Sequence, residues 1–203
     1  CNDYFYNIGY ELGMNGQEYD SNKGTDTLAK YAKEFGLGEK SGVEIPESEP
    51  QISDEYSVQS AIGQGTNNFT VRQLNRYVAA VANRGTVYKL TLLDKTTDVN
   101  GKVIKEYEPE VTNTIDDISD NTWNLLQDMS QFNGMEISMA GKTGTAQQSE
   151  VHPDHVLFVG FAPAENPEIA VAVRIANGYS SAYTAEIGRD IVKSYYKTSD
   201  FDK

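Results

Sequence analysis

Apolar residues three and four apart mark helices along this chain, and alternating apolar residues mark strands. Phe5, Ile8 and Leu12 recur at helical spacing, with Gly13 as a stop. Leu28, Tyr31, Ala32 and Phe35 repeat at i, i+3, i+4 and i+7 behind a Thr25/Asp26 cap and ahead of Gly36, which predicts a helix over residues 26 to 35. A further helix follows the cap Thr70, with Leu74, Tyr77, Val78 and Val81 inward and Gly85 after it. Trp123, Leu126 and Ser130, with Leu125 and Met129, form an amphipathic pattern behind Ser119, and a terminal helix is expected from about Thr184 to Tyr196. Residues 156–161 and 169–175 read as strands joined through Pro163, Asn166 and Pro167, hence as an antiparallel pair. In the second of them, large Ile169, Val171, Val173 and Ile175 alternate with small Ala170 and Ala172, which suits a face against the closing helix. Asn100-Gly101 between short strand segments signals a type I′ hairpin. With no repeat, low-complexity tract or linker, one domain is the simplest organisation.

The chemistry concentrates in Ala140-Gly141-Lys142-Thr143-Gly144-Thr145-Ala146-Gln147. Lys142 supplies a compact positive charge, and the hydroxyls of Thr143 and Thr145, two apart and so on one face of a strand, can hold a carboxylate. Gly144 has no side chain, so an extended ligand can lie against the backbone there and pair as an added strand. The Thr145 N–H is then available to an oxyanion. A nucleotide-binding P-loop is excluded by spacing, because its first glycine would fall on Glu136.

Composition narrows the field. With 203 residues, 38% hydrophobic and 23% charged, the chain can bury a core, and no run of eighteen apolar residues spans a membrane. A net charge of −13 argues against nucleic acid or anionic lipid as a partner. The single cysteine, Cys1, excludes an internal disulfide, and no cofactor motif is present. His152 and His155 flank Pro153-Asp154; a shared metal lacks further ligand motifs, and solvated loop histidines are the preferred reading.

The seven-residue string Gly-Lys-Thr-Gly-Thr-Ala-Gln, residues 141–147, resembles the third motif of penicillin-binding proteins more than that of class A β-lactamases. Cys1-Asn2-Asp3-Tyr4-Phe5-Tyr6 resembles the class B segment Ser-Cys-Asn-x-x-Phe, which makes Asn2 the third residue of a Ser-x-Asn motif whose serine precedes Cys1. Ser60-Ala61-Ile62-Gly63-Gln64-Gly65 corresponds to a stretch that lies near the active site in that family; a plain glycine-rich loop explains it equally well. Two short words are set aside. Ser119-Asp120-Asn121 spells a second motif but fits a helix cap, and Ser194-Tyr195-Tyr196-Lys197, the one Ser-x-x-Lys, follows the other motifs and falls on the terminal helix. Val71 departs from the family, where proline is frequent, and the loop from Gln148 to His155 matches no pattern.

The resemblance runs from Cys1 through the terminal helix and implies the C-terminal portion, residues 1–203, of a class B transpeptidase domain lacking the Ser-x-x-Lys region. It implies an α+β domain, an antiparallel sheet with packed helices, whose sheet has five strands, three of them found here, with Lys-Thr-Gly on the edge. The implied reaction is serine acyl transfer on a peptidoglycan stem peptide, with β-lactam antibiotics acylating the same serine. Asn2 would hold the substrate amide, Lys142 tune the Ser-x-Asn serine, Thr143 and Thr145 hold the carboxylate, Gly144 admit the peptide, and Thr145 N–H hold the oxyanion. No metal or cofactor is implied. The resemblance places the parent at the extracytoplasmic face of the bacterial membrane, through an anchor outside this chain, and this chain alone is expected not to turn over substrate. A carboxypeptidase, a β-lactamase or a non-catalytic β-lactam sensor of the same fold stand as alternatives.

Overall fold

The computed structural model describes residues 2–128, 130–131, 136–148 and 150–201. They form two compact units, one from Cys1–Arg76 and Thr86–Ile115, the other from Tyr77–Gly85 and Asp116–Lys203. Each unit joins two separate stretches of chain, so no linker or change of composition marks the boundary. Cys1 and Met129 lie outside the described residues.

The first unit opens with helix α1 (Asn2–Gly13), followed by the hairpin β1 (Met14–Asn15) and β2 (Glu18–Tyr19), then α2 (Ser21–Glu34) and the short α3 (Ser57–Ser60). Helix α1 packs on α2 and α3. Its close contact is made by glycines: a Cβ on Gly9 would come 2.7 Å from Ser57 O and 2.8 Å from Val58 Cα. The expected stripe of Phe5, Ile8 and Leu12 is therefore not the buried one. Phe5 remains 47% exposed, while Gly9 and Gly13 are buried.

Helix α2 starts five residues ahead of the expected Thr25/Asp26 cap. Asp20, leaving β2, accepts the Asn22 N–H at 2.9 Å and fills the N-cap role. Thr25 sits inside the helix, where its hydroxyl donates to the carbonyls of Ser21 and Asn22. The far end behaves as its sequence suggests: Gly36 adopts φ +80°, its N–H meets Lys33 O, and the Leu37 N–H meets Ala32 O.

Helix α4 (Val71–Ala82) begins in a reciprocal cap, as Gln73 N–H donates to Thr70 Oγ1 and Thr70 N–H donates to Gln73 Oε1. Val78 and Val81 are buried as the spacing indicates, but Gln73 and Arg76 are equally buried, at 0% and 2% exposure. Arg76 donates to the carbonyls of Gly36 and Lys40, and Glu47 accepts from Ser41 N–H, Ser41 Oγ and Thr70 Oγ1. These polar groups tie the segment after α2 to the start of α4. Arg84 then ends the helix at φ +63°, donating its N–H to Val81 O while Gly85 N–H reaches Ala80 O. An arginine thus holds the left-handed position that glycine commonly takes.

Two antiparallel pairs complete the first unit: β3 (Thr86–Lys89) with β6 (Glu110–Thr114), and β4 (Lys95–Thr97) with β5 (Val103–Glu106). The hairpin at Asn100-Gly101 forms, but not with a type I′ turn. Only Gly101 has positive φ (+84°), and Asp98 Oδ1 accepts the N–H of both Asn100 and Lys102 at 2.9 Å. A type I′ turn needs two left-handed residues, and the aspartate side chain here stabilises a longer loop with one.

In the second unit, α5 (Asp120–Gln127) is capped by Ser119, whose Oγ accepts the Thr122 N–H at 3.2 Å. It ends before Ser130, which belongs to the two-residue strand β7 (Ser130–Gln131), so the expected helix is shorter than its pattern. β7, β8 (Ala140–Ala146), β9 (His155–Ala162) and β10 (Ile169–Ile175) form an antiparallel sheet in the order β10-β9-β8-β7. Helix α6 (Ser181–Phe201), longer at both ends than expected, packs on this sheet. Met139, Phe158, Ala162, Val171, Ala185 and Val192 form the core, with Ile169 and Val173 against it, so the large residues of β10 do face the helix.

Candidate active site

β8 carries the Lys-Thr-Gly segment, and its register with β9 pairs Gly141 with Gly160, Lys142 with Val159, Thr143 with Phe158, Gly144 with Leu157 and Thr145 with Val156. On the other side β7 covers only Ala140 and Gly141. From Lys142 to Ala146 that side has no strand partner among the described residues. The segment is therefore an edge over five residues rather than along the whole strand, because β7, invisible in the sequence pattern, closes its start. Backbone groups of a strand alternate between its two sides, so every second residue of the open stretch offers N–H and C=O to an incoming chain.

The two faces of β8 differ. Thr143 and Thr145 lie directly opposite Phe158 and Val156 and so share their face, the one packed by α6. Lys142 and Gly144 belong to the other face. The Lys142 ammonium is exposed and donates to Thr143 O at 2.7 Å; Thr145 is exposed and Thr143 half-buried. Charge and hydroxyls can therefore converge only on a ligand that lies along the edge, not on one that sits above a single face.

Two glycines three residues apart, Gly141 and Gly144, differ in their reasons to be glycine. A Cβ on Gly141 would come 2.5 Å from Phe158 Cε2, so packing requires that residue. A Cβ on Gly144 would meet Leu157 Cβ at 3.7 Å, an ordinary contact, and its φ is not left-handed. Neither packing nor backbone conformation calls for glycine at 144. A side chain there could rest against Leu157, so the glycine leaves the strand backbone uncovered two residues from Lys142.

Asn2 opens α1 in the first unit and is exposed. The glycines of the Ile62–Gly65 turn have φ +84° and +78°, and Gly65 leaves room for the hydroxyls of Ser53 and Ser60, 2.7 Å apart. Turn geometry alone thus accounts for Gly65. Ser194 and Lys197 lie on α6.

His155 is a strand residue rather than a loop residue. It pairs with Ala146 across the sheet, its Nδ1 accepts the Asn177 N–H at 3.2 Å, and its Nε2 is hydrogen-bonded to Gln148 Oε1. Sequence reasoning overlooked this link, since the histidine falls one residue before the apolar run. Among the described residues, no group of three or more His, Cys, Asp or Glu side chains could hold a metal ion. No described helix is long and apolar enough to cross a membrane.

β8 thus presents, among the described residues, an open strand edge beside a lysine with two hydroxyls on the neighbouring positions. The model of the penicillin binding protein transpeptidase domain family matches residues 1–193, and the chain belongs to that family. It is 31% identical over 235 residues to penicillin-binding protein 2B of Streptococcus pneumoniae serotype 2 (strain D39 / NCTC 7466), which covers 95% of this chain and 34% of that protein. The chain thus spans about a third of the length of that relative. A solved structure of penicillin-binding protein 2B from S. pneumoniae strain R6 superposes with a TM-score of 0.82 at 26% identity, over 98% of this chain and 38% of that one. Penicillin-binding protein A from M. tuberculosis, solved as an imipenem acyl-enzyme complex, gives a TM-score of 0.77 at 25% identity, over 97% and 45% of the two chains. The α+β fold with an antiparallel sheet and packed helices is that of these transpeptidase domains.

Proposed function

We propose that this chain supplies the substrate-binding strand of a serine-type D,D-transpeptidase that cross-links peptidoglycan stem peptides. The observation that carries the reading is Gly144, a glycine that neither packing nor φ demands, on the open stretch of β8 beside Lys142. A peptide ending in a carboxylate fits that edge. Its backbone pairs with the outward N–H and C=O groups, its terminal carboxylate takes the hydroxyls of Thr143 and Thr145 with Lys142 close by, and Gly144 lets it approach.

In the reaction, a serine outside these residues attacks the penultimate D-alanine carbonyl, and terminal D-alanine leaves with a proton. An amine of a second stem then attacks the ester, which forms the cross-link and restores the serine hydroxyl. The Thr145 N–H stabilises the oxyanion in both steps, and Lys142 supplies positive potential along the edge. A β-lactam, which mimics the terminal dipeptide, occupies the same edge and acylates the same serine. The relatives' name as penicillin-binding proteins supports this ligand class. Such a substrate implies that the parent works at the extracytoplasmic face of the cell membrane, and no cofactor enters the scheme.

The test is Gly144→Val in the full-length parent. Acylation by a fluorescent penicillin should slow at least about ten-fold, on the order of the 1.4 kcal/mol that a tenfold change represents, with the melting temperature little changed. Acylation at the unmodified rate would sink the reading.

A further inference from the structure

Residues 177–179 join β10 to α6 in a conformation that needs holding. Asn177 and Tyr179 both take left-handed backbone angles, φ +54° and +58°, which cost a non-glycine residue free energy unless surrounding contacts fix them. Tyr179 contributes little to that, being 82% exposed. Between them Gly178 presses on Ile175, where a Cβ would stand 3.0 Å from the Ile175 Cβ. Besides the local bond from Ser180 N–H to Gly178 O at 2.6 Å, two hydrogen bonds run from the connection to His155 at the start of β9 and to Asp154 just before it. Gly178 N–H donates to Asp154 O at 3.0 Å, and Asn177 N–H donates to His155 Nδ1 at 3.2 Å.

The same imidazole reaches the opposite way. Its Nε2 is bonded to Gln148 Oε1, two residues past the end of β8, and His155 stands directly across from Ala146. A ring nitrogen that accepts a hydrogen bond carries no proton, so with Nδ1 accepting, the proton of the neutral ring must sit on Nε2, facing the Gln148 oxygen. Both ring nitrogens are then matched to their partners in one tautomer, and in no other.

The geometry points to His155 as a positioning residue: its neutral, Nε2-protonated ring ties the exit of the Lys-Thr-Gly strand to the β10–α6 connection and fixes the open end of the binding edge. The effect on the reaction rests on the functional reading above, but the tie itself does not. Thr145, which is to supply the oxyanion donor, lies one residue from Ala146 and pairs with Val156, next to His155. A loosened exit lets that N–H wander.

The tie is read without substrate, by nitrogen NMR of the 203-residue chain at neutral pH, where only His152 and His155 contribute imidazole signals. His155 should show the Nε2–H form; a rapidly exchanging mixture of tautomers would overturn the proposal. His155→Ala should speed hydrogen exchange at the Asn177 amide roughly five-fold, the worth of one ordinary hydrogen bond. His155→Asn, whose side-chain oxygen can replace Nδ1, should restore protection there. Unchanged exchange in the alanine variant counts against the tie, and if that variant does not fold the tautomer decides alone. In the full-length parent, His155→Ala should slow acylation by a fluorescent penicillin about five-fold with His155→Asn recovering part of the loss, and wild-type acylation would remove the positioning role. A confirmed tautomer in a parent that no penicillin acylates leaves the tie standing and rejects the functional reading instead.

Discussion

The ring of Phe158 occupies the volume that Gly141 leaves empty: a Cβ on Gly141 would come within 2.5 Å of Cε2. Gly160 and Gly188 border the same ring, with Cβ positions 2.7 Å from Cζ and 2.5 Å from Cδ1. A fully buried aromatic is thus seated among glycines from two strands and a helix, and this seat holds β8 flat against β9 beside the site.

Gly141→Ala should therefore destabilise the chain by about 1–3 kcal/mol, the usual cost of forcing a methyl into a packed core. Gly144→Ala, three residues on, should change stability by less than about 1 kcal/mol, since its Cβ meets only Leu157 at 3.7 Å. Thermal melts of the two variants compare them directly; equal losses would contradict the distinction.

Glu47 gives the first unit a dependence on acid. Burial raises its pKa, but the hydrogen bonds from Thr70 and Ser41 and the charge of Arg72 outweigh that and hold the carboxyl below its ordinary value. A depressed carboxylate contributes stability that is complete above the unfolded value of about 4.3 and is lost as pH falls through the lower folded value. Denaturant melts should show the wild type losing more stability than Glu47→Gln below about pH 4.3, and the two curves should run parallel at neutral pH. At neutral pH Glu47→Ala should cost about 1.5–3 kcal/mol, the range for hydrogen bonds to a charged group.

Arg84 sets a backbone cost against side-chain contacts. Its left-handed φ of +63° favours glycine, while its guanidinium reaches Asp120 Oδ1 and Asn124 Oδ1, each at 2.9 Å. Both substitutions remove those exposed contacts, so the difference between them isolates the backbone. Arg84→Gly should be more stable than Arg84→Ala by about 1 kcal/mol. Chemical denaturation measures the gap, and a more stable alanine variant would refute the assignment.

Ser194 and Lys197 sit on α6, which packs on the sheet, and form the one Ser-x-x-Lys of the chain. The 203-residue chain should acquire no covalent label from a fluorescent penicillin, and Ser194→Ala should leave that result as it is. A stable adduct on the isolated chain, located by mass spectrometry, would assign a nucleophile within it.

Features set by local chemistry were legible in the sequence. Strands β9 and β10 were visible because their apolar runs are bounded by Pro163 and Pro167, and the end of α2 and the start of α4 because Gly36 and the Thr70 cap act within a single turn. What escaped depends on partners distant in sequence or on segments too short to show a period. Strand β7 has two residues, so no alternation can reveal it. Helix α2 starts at Asp20 because an aspartate placed by β2 precedes the expected threonine. Arg76 lies among the apolar positions of α4, yet it is buried because the carbonyls of Gly36 and Lys40 surround it. At the site, the residue types on β8 were readable from their order. The half-covered edge and the His155 tie were not, since both arise from pairing with other strands.

A naked strand edge invites fusion with any neighbour that can extend, and soluble proteins often guard such margins with a charged residue. Lys142 stands where the cover of β7 stops, so the bare margin begins at an ammonium. Such a sentinel repels a second copy of the same strand, which would bring its own cation to the seam, and welcomes a short chain that ends in a negative charge. On the reading proposed above, one lysine would serve both as a safeguard against clumping and as a filter for who is admitted.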